Sequence, residues 1–116
     1  MNRFLQATIN SWKGIVAAAQ TEMAFRQELV LLAVAIPLSL FLTPDFGRRV
    51  ALIGSLIFVM IVELLNTAIE KLCDHVTSEQ HLAIGRIKDM ASAAVGLSLL
   101  FPGVVWLWFL IERFWP

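Results

Sequence analysis

Apolar positions along the chain fall into four blocks with different periodicities. Phe4, Leu5, Thr8, Ile9, Trp12, Ile15, Val16 and Ala19 repeat at helical spacing, while Asn10 and Lys13 fall away from that stripe. The pattern predicts an amphipathic helix over residues 3–20 that lies on a membrane surface, with Trp12 near headgroup level. Polar residues interrupt this stretch too often for a signal peptide. The other three blocks are apolar on all sides. Leu29 to Leu42 is free of charge and reaches spanning length when extended back through Phe25 and Ala24; Pro37 sits inside it. The turn signal Thr43-Pro44-Asp45-Phe46-Gly47 ends it. A second span opens at Val50, and Met90 to Ile111 forms an uncharged third with Pro102-Gly103 inside. Trp106, Trp108, Phe109, Phe114 and Trp115 gather at its far end, as an interfacial aromatic belt does.

These blocks predict an all-α integral membrane protein of one domain: a surface helix over 3–20, spans over 24–43, 49–73 and 89–112, and a polar loop over 74–88. Thr77-x-x-Gln80 fits a capping box, which predicts that a helix restarts there. Composition agrees. Of 116 residues, 59% are hydrophobic and 16% charged, against about 45–50% and about 25% in soluble domains. Nine basic and nine acidic residues cancel, so no bulk charge points to nucleic acid. Cys73 is the only cysteine, which excludes an internal disulfide and reads as a small hydrophobe. Arg3, Lys13, Arg26, Lys71, Arg86 and Lys88 fall on one side of the predicted spans, and Arg48, Arg49 and Arg113 on the other. By the positive-inside rule the first side is cytoplasmic, with the N-terminus inside and the C-terminus outside.

One feature resists a purely structural reading. Val59 to Asp74 begins as a membrane span and then carries Glu63, Asn66, Glu70 and Asp74. Spacings of three, four and four put them on one face, within an arc of about 80° at roughly 100° per residue. A carboxylate at the centre of a span costs about 2.5–3.5 kcal/mol even on lenient scales. The row therefore faces other helices or a water-filled cleft, and it needs neutralising. Arg3, Arg26, Lys71, Arg86 and Lys88 are candidate counter-charges. A divalent cation is another, because carboxylate oxygens suit Mg²⁺, which commonly takes one or two carboxylates plus substrate phosphates. Glu22, at the depth of Glu70, is a further candidate ligand. The plainer alternative is helix-to-helix polar glue, worth about 0.6 kcal/mol per pair; graded acids, an Asn and a facing basic loop exceed what glue requires. In Lys88-Asp89, Asp89 suits a helix start by dipole and Lys88 does not, which favours a ligand role for Lys88. His75 and His81 lack the companions of a zinc site. No GxxxxGK[ST] loop, dinucleotide fingerprint or protein-kinase motif set occurs.

Three blocks resemble the prokaryotic diacylglycerol kinases: Ser11-Trp12-Lys13-Gly14 with Glu22-x-Ala24-Phe25-Arg26-Gln27-Glu28; Glu63-Leu-Leu-Asn66-Thr-Ala-Ile-Glu70-x-x-Cys-Asp74; and Gly85-Arg86-x-Lys88-Asp89-Met90-x-Ser92-Ala93-Ala94. They occur in the family's order over nearly the whole chain. Cys73 departs from the family's usual aliphatic residue. The resemblance implies a multi-pass enzyme of the bacterial inner membrane, homotrimeric, with active sites shared between subunits. Its activity would be transfer of the γ-phosphate of MgATP to diacylglycerol, giving phosphatidate. The implied general base is Glu63, with Asn66 as its polar orienter. Glu22 and Glu70 match the Mg²⁺ ligands. Arg3, Asn10, Glu22, Glu70, Glu79, Gln80, His81, Lys88 and Asp89 match nucleotide positions. Arg3, Ala24, Phe25, Arg26, Gln27, Glu28, Glu63 and Ser92 match lipid-substrate positions. Two rivals stand beside this: an undecaprenol kinase of the same family, and a small proton-coupled transporter that uses Glu63 as a carrier carboxylate.

Overall fold

The computed structural model describes residues 2–116. Four helices follow one another: α1 (Arg3–Thr21), α2 (Met23–Leu42), α3 (Phe46–Val76) and α4 (Leu82–Phe114). There is no strand among the described residues. Three helices, α2 to α4, are long and apolar enough to cross a membrane.

Local chemistry accounts for the breaks. The Asn2 side chain accepts a hydrogen bond from the Phe4 amide at 2.8 Å and starts α1. Glu22 alone, in an extended conformation, separates α1 from α2 and makes a sharp elbow. The Arg26 guanidinium closes that elbow from the other side, donating to the Ala19 and Gln20 carbonyls at 3.0 and 3.1 Å. These are carbonyls at the end of α1, where a cation satisfies groups that have no partner within the helix. Between α2 and α3 the Thr43 hydroxyl accepts from the Asp45 amide, and Asp45 then caps α3 through the Arg48 amide at 2.8 Å. The Thr77/Gln80 capping box does not form. Thr77 Oγ1 instead accepts from the Glu79 amide at 3.1 Å in a local turn, and α4 begins only at Leu82 with the His81 ring accepting from the Ala83 amide. Thr77 spends its oxygen on the turn, so the cap passes to His81, four residues on.

Helix lengths matter for function. At 1.5 Å per residue, the 20 residues of α2 reach about 30 Å, the thickness of the hydrocarbon core. The 31 residues of α3 and 33 of α4 reach about 46 and 50 Å, so both overshoot it. The overshoot carries the charges. At one end Arg48 pairs with Glu112 at 2.7 Å, and Arg113 stacks on Phe41 and Phe114. At the other end Lys71 meets Glu22, and Lys88 meets Asp74.

Central in the bundle is α3, packed on α4 along one side and α2 on the other. Small and hydroxyl residues line the closest approaches: Ala35, Ser39, Ser55, Ala91 and Ser98 are buried. Such residues let helix backbones come close, which is the main source of affinity between helices in lipid. The three serines satisfy themselves on carbonyls three residues back, at 2.7–2.9 Å. Leu52 is wholly buried, and Trp106 Nε1 donates to its carbonyl at 3.0 Å, tying α4 to α3. Phe58 and Phe101 pack edge to face at 5.7 Å on the same seam. Most large apolar side chains, by contrast, stand exposed along the spans, as lipid-facing residues do.

Leu52→Ala tests this seam. In hydrocarbon the lost side chain forfeits packing but little transfer energy, so the cost falls near the low end of the buried Leu→Ala range, about 2 kcal/mol. Thermal unfolding in detergent micelles reads it as a lowered midpoint. An unchanged midpoint would mean that α3 and α4 are held together elsewhere.

Candidate active site at the helix elbow

The elbow docks on α3 through apolar packing. Phe25, only 2% exposed, lies with Ala18 and Met60 in one buried cluster, and Ala19, Leu29, Leu32 and Leu64 pack around it. Residues from the end of α1, the start of α2 and the middle of α3 thus meet at one point. Phe25, singled out by the sequence as a lipid-site position, is here the hydrophobic peg of that joint.

Docking brings carboxylates from two parts of the chain together. Glu63, in α3 between Met60 and Leu64, has Glu70 and Glu22 as its charged neighbours. Glu28, one turn into α2, has Glu63 as its own. Glu22, Glu28, Glu63 and Asn66 are all half-buried, whereas Glu70 and Asp74 are exposed. Burial along the row therefore falls from Glu63 toward Asp74. Asn66 Nδ2 donates to Glu70 Oε1 at 3.3 Å, which orients the Glu70 carboxylate. Asn66 Oδ1 and Glu28 Oε2 are buried and have no hydrogen-bond partner. Unpartnered buried oxygens cost about 1–3 kcal/mol each unless water, an ion or a ligand group meets them.

Two lysines answer the acids. Lys71 Nζ lies 3.6 Å from Glu22 Oε1 and 3.0 Å from Thr21 Oγ1. Lys88 Nζ lies 2.6 Å from Asp74 Oδ1, joining the end of α3 to the start of α4. Beside that pair is an open cavity of about 540 Å³, lined by Asp74, the turn from Thr77 to Leu82, Ile84, Gly85 and Lys88. Glu79, Gln80, His81 and Lys88, all predicted nucleotide positions, thus share one pocket. Its floor at Asp74 lies eleven residues from Glu63, about 16 Å along the helix. That separation suits a ligand with two ends better than a single small group.

Not every predicted residue joins this assembly. Arg3, Ala24, Gln27, Asp89 and Ser92 stand exposed on their helices. Asn10 is exposed too and accepts from Gln6 Nε2 at 3.1 Å. Arg26 spends its guanidinium on the elbow carbonyls. Lys71 appears in the sequence only as one of five possible counter-charges, and Thr21 carries no signal there. Their pairing needs the elbow, which no periodicity announces.

Glu22 and Glu70 offer hard oxygen donors, with no thiolate or imidazole among them, and a buried, unpartnered Asn66 oxygen sits one turn from Glu70. That set fits Mg²⁺ of the kind that shares a site with phosphates. Among the described residues no three acidic, His or Cys side chains enclose a cation unaided, so water or phosphate oxygens would complete its shell.

Comparison with known proteins finds relatives over most of the chain. The family described as "Prokaryotic diacylglycerol kinase" matches residues 9–110. The "Diacylglycerol kinase" of Escherichia coli (strain K12) is 45% identical over 104 residues, 90% of this chain and 85% of that protein. The "Diacylglycerol kinase" of Pseudomonas aeruginosa is 41% identical over 106 residues, covering 91% and 86%. That of Haemophilus influenzae is 37% identical over 106 residues, covering 91% and 90%.

Proposed function

Because this chain belongs to the prokaryotic diacylglycerol kinase family, we propose that it phosphorylates diacylglycerol to phosphatidate with ATP, in the bacterial inner membrane. The observation that carries the assignment to particular residues is the docked elbow. Phe25 seats Glu22 and Glu28 beside the Glu63–Asn66–Glu70 row, and the Lys88 pocket lies farther along α3.

In this reading Glu63 is the general base. It is the most deeply set member of the row, and the hydroxyl of a bilayer-anchored diacylglycerol lies just below the headgroups. The reaction is a direct in-line displacement. The lipid hydroxyl oxygen bonds to the γ-phosphorus, the bond from that phosphorus to the bridging oxygen of ADP breaks, and the hydroxyl proton passes to the Glu63 carboxylate. A phosphoryl group in flight asks little covalent work of a protein, and positioning with charge neutralisation does most of the catalysis. Asn66 orients Glu70 and offers its free oxygen one turn from the base. Lys88 contacts the phosphates, and Glu79, Gln80, His81 and Asp89 hold the nucleoside end, with Arg3 and Asn10 reaching it from α1. Ala24 to Glu28 and Ser92 line the lipid. Glu22 and Glu70 hold Mg²⁺, which when bound offsets the negative charge of the phosphates.

The remaining assignments fit the same picture. A homotrimer explains how the exposed residues Ser92 and Asp89 of one subunit complete a site built on another. It also covers the polar stripe, which a slab only 21 Å thin in one dimension does not enclose. Helix α1 lies on the cytoplasmic surface with Trp12 and Phe4, exposed within the chain, turned to the lipid. The N-terminus is cytoplasmic and the C-terminus periplasmic.

Glu63→Gln should keep assembly and MgATP binding while turnover, followed with radiolabelled ATP and diacylglycerol, falls by three or more orders of magnitude. Turnover near wild type would remove the base assignment. Glu70→Ala should raise the Mg²⁺ concentration needed for half-maximal activity at least tenfold; an unchanged Mg²⁺ titration would exclude it as a ligand. Offering diacylglycerol and undecaprenol side by side checks the substrate. Phosphatidate should dominate, and labelling of undecaprenol alone would reassign the chain.

A further inference from the structure

One charged contact at the elbow has no part in the proposed reaction. Lys71 follows Glu70 directly, yet its side chain crosses to the elbow and joins residues 50 positions apart, Lys71 Nζ to Thr21 Oγ1 at 3.0 Å. Thr21 Oγ1 donates its own proton to the Ala17 carbonyl at 2.9 Å, which leaves its lone pairs to accept from the lysine. The same ammonium stands 3.6 Å from Glu22 Oε1, and among the described residues it is the only cation paired with Glu22. Lys71 and Glu22 are thus the one place where a resident positive charge touches a carboxylate proposed to hold Mg²⁺.

We propose that Lys71 is a built-in counter-ion that holds Glu22 until the divalent cation arrives, gives it up on binding, and so sets the cation affinity of the site; this rests on the reading of Glu22 and Glu70 as the ligands. Without a cation, Glu22, Glu63 and Glu70 repel one another, and Lys71 relieves that repulsion. With a divalent cation present, an ammonium on Glu22 competes with it and repels it. Both effects have one sign. The contact is also built to be given up. It is loose, and the Lys71 side chain is 54% exposed, where ion pairs are weak. A lysine is a strongly hydrated point charge on a flexible stem. Withdrawal takes it outward to solvent, because the groove it borders between α1 and α3 is lined mainly by Ile15, Ala17, Ala18, Leu64 and Ala68. Lys88 differs, being held at 2.6 Å by Asp74. The rival explanation is a passive strap that pins the elbow to α3. A strap predicts that losing the charge loosens the elbow and leaves cation binding equal or weaker.

The test is titration of Mn²⁺ into the purified full-length chain in lipid micelles without nucleotide, following free Mn²⁺ by electron paramagnetic resonance. A unit charge within about 8 Å of a divalent cation in water changes its affinity by at least about fivefold. Lys71→Met should therefore bind Mn²⁺ about fivefold more tightly than wild type, Lys71→Arg should stay near wild type, and Glu70→Gln should bind more weakly. Mn²⁺ should also raise the thermal midpoint of Lys71→Met more than that of wild type. Should Lys71→Met fail to fold, Lys71→Gln carries the same expectation. If Lys71→Met binds no more tightly while Glu70→Gln is weakened, the counter-ion role falls and the metal site stands. If Glu70→Gln binds as well as wild type, the role falls together with the site beneath it.

Discussion

A carboxylate drawn toward hydrocarbon must find a cation, a donor or water, and the architecture of this chain follows from how it meets that demand. Glu63 sits partway along a helix whose preceding two turns, Leu56 to Val62, are wholly apolar. Alone on an isolated span it would be costly. The elbow at Glu22 changes its surroundings. By folding the end of α1 and the start of α2 onto α3, Phe25 covers the apolar side of the joint and leaves the polar side facing the same cleft. Acids then gather where lysines from α3 and α4 reach them. Apolar packing thus does the assembling, and the charged groups are what is assembled.

Helix length makes the arrangement workable in a membrane. Because α2 matches the hydrocarbon thickness while α3 and α4 exceed it, the excess of the longer helices emerges as a polar extension at the acidic end. The gradient from half-buried Glu63 to exposed Asp74 runs along this transition. In the proposed reaction a lipid alcohol and a water-soluble nucleotide approach from opposite ends of this gradient. The place where both can be reached is narrow, and Asn66 and Glu70 occupy it, one and two turns from Glu63. Across the bundle, buried serines and alanines keep the helices close without adding bulk, so the thin sheet of spans holds the row in register.

Much of this was legible in the residues. Long apolar runs broken by Thr43-Pro44-Asp45 and by the polar stretch after Asp74 locate three helices, because hydropathy and turn chemistry are local properties. The shared face of Glu63, Asn66 and Glu70 follows from helical arithmetic. What stayed hidden depends on tertiary placement. Thr77 looked like a helix cap, but its hydroxyl closes a turn and His81 takes the role. Phe25 and Arg26 carry family signatures for a lipid site, yet within the chain one is a buried peg and the other a clasp on backbone carbonyls. The partner of Lys71 lies 50 residues away across a one-residue link, and no local pattern encodes that. Ser92, Asp89 and Arg3 stand exposed, apart from the cluster.

The central claim is that carboxylates from the elbow and from α3 converge on one cation beside the transferring phosphate. Crystals of the protein grown with Mn²⁺ and a non-hydrolysable ATP analogue, measured at the manganese absorption edge, test it directly. The account predicts an anomalous peak in contact with Glu22, Glu70 and the analogue's phosphate oxygens, with Glu63 nearer the γ-phosphate than either ligand's backbone. A peak bound to phosphates alone, or one seated against Asp74 and the Thr77–His81 turn with Glu22 still on Lys71, would contradict it.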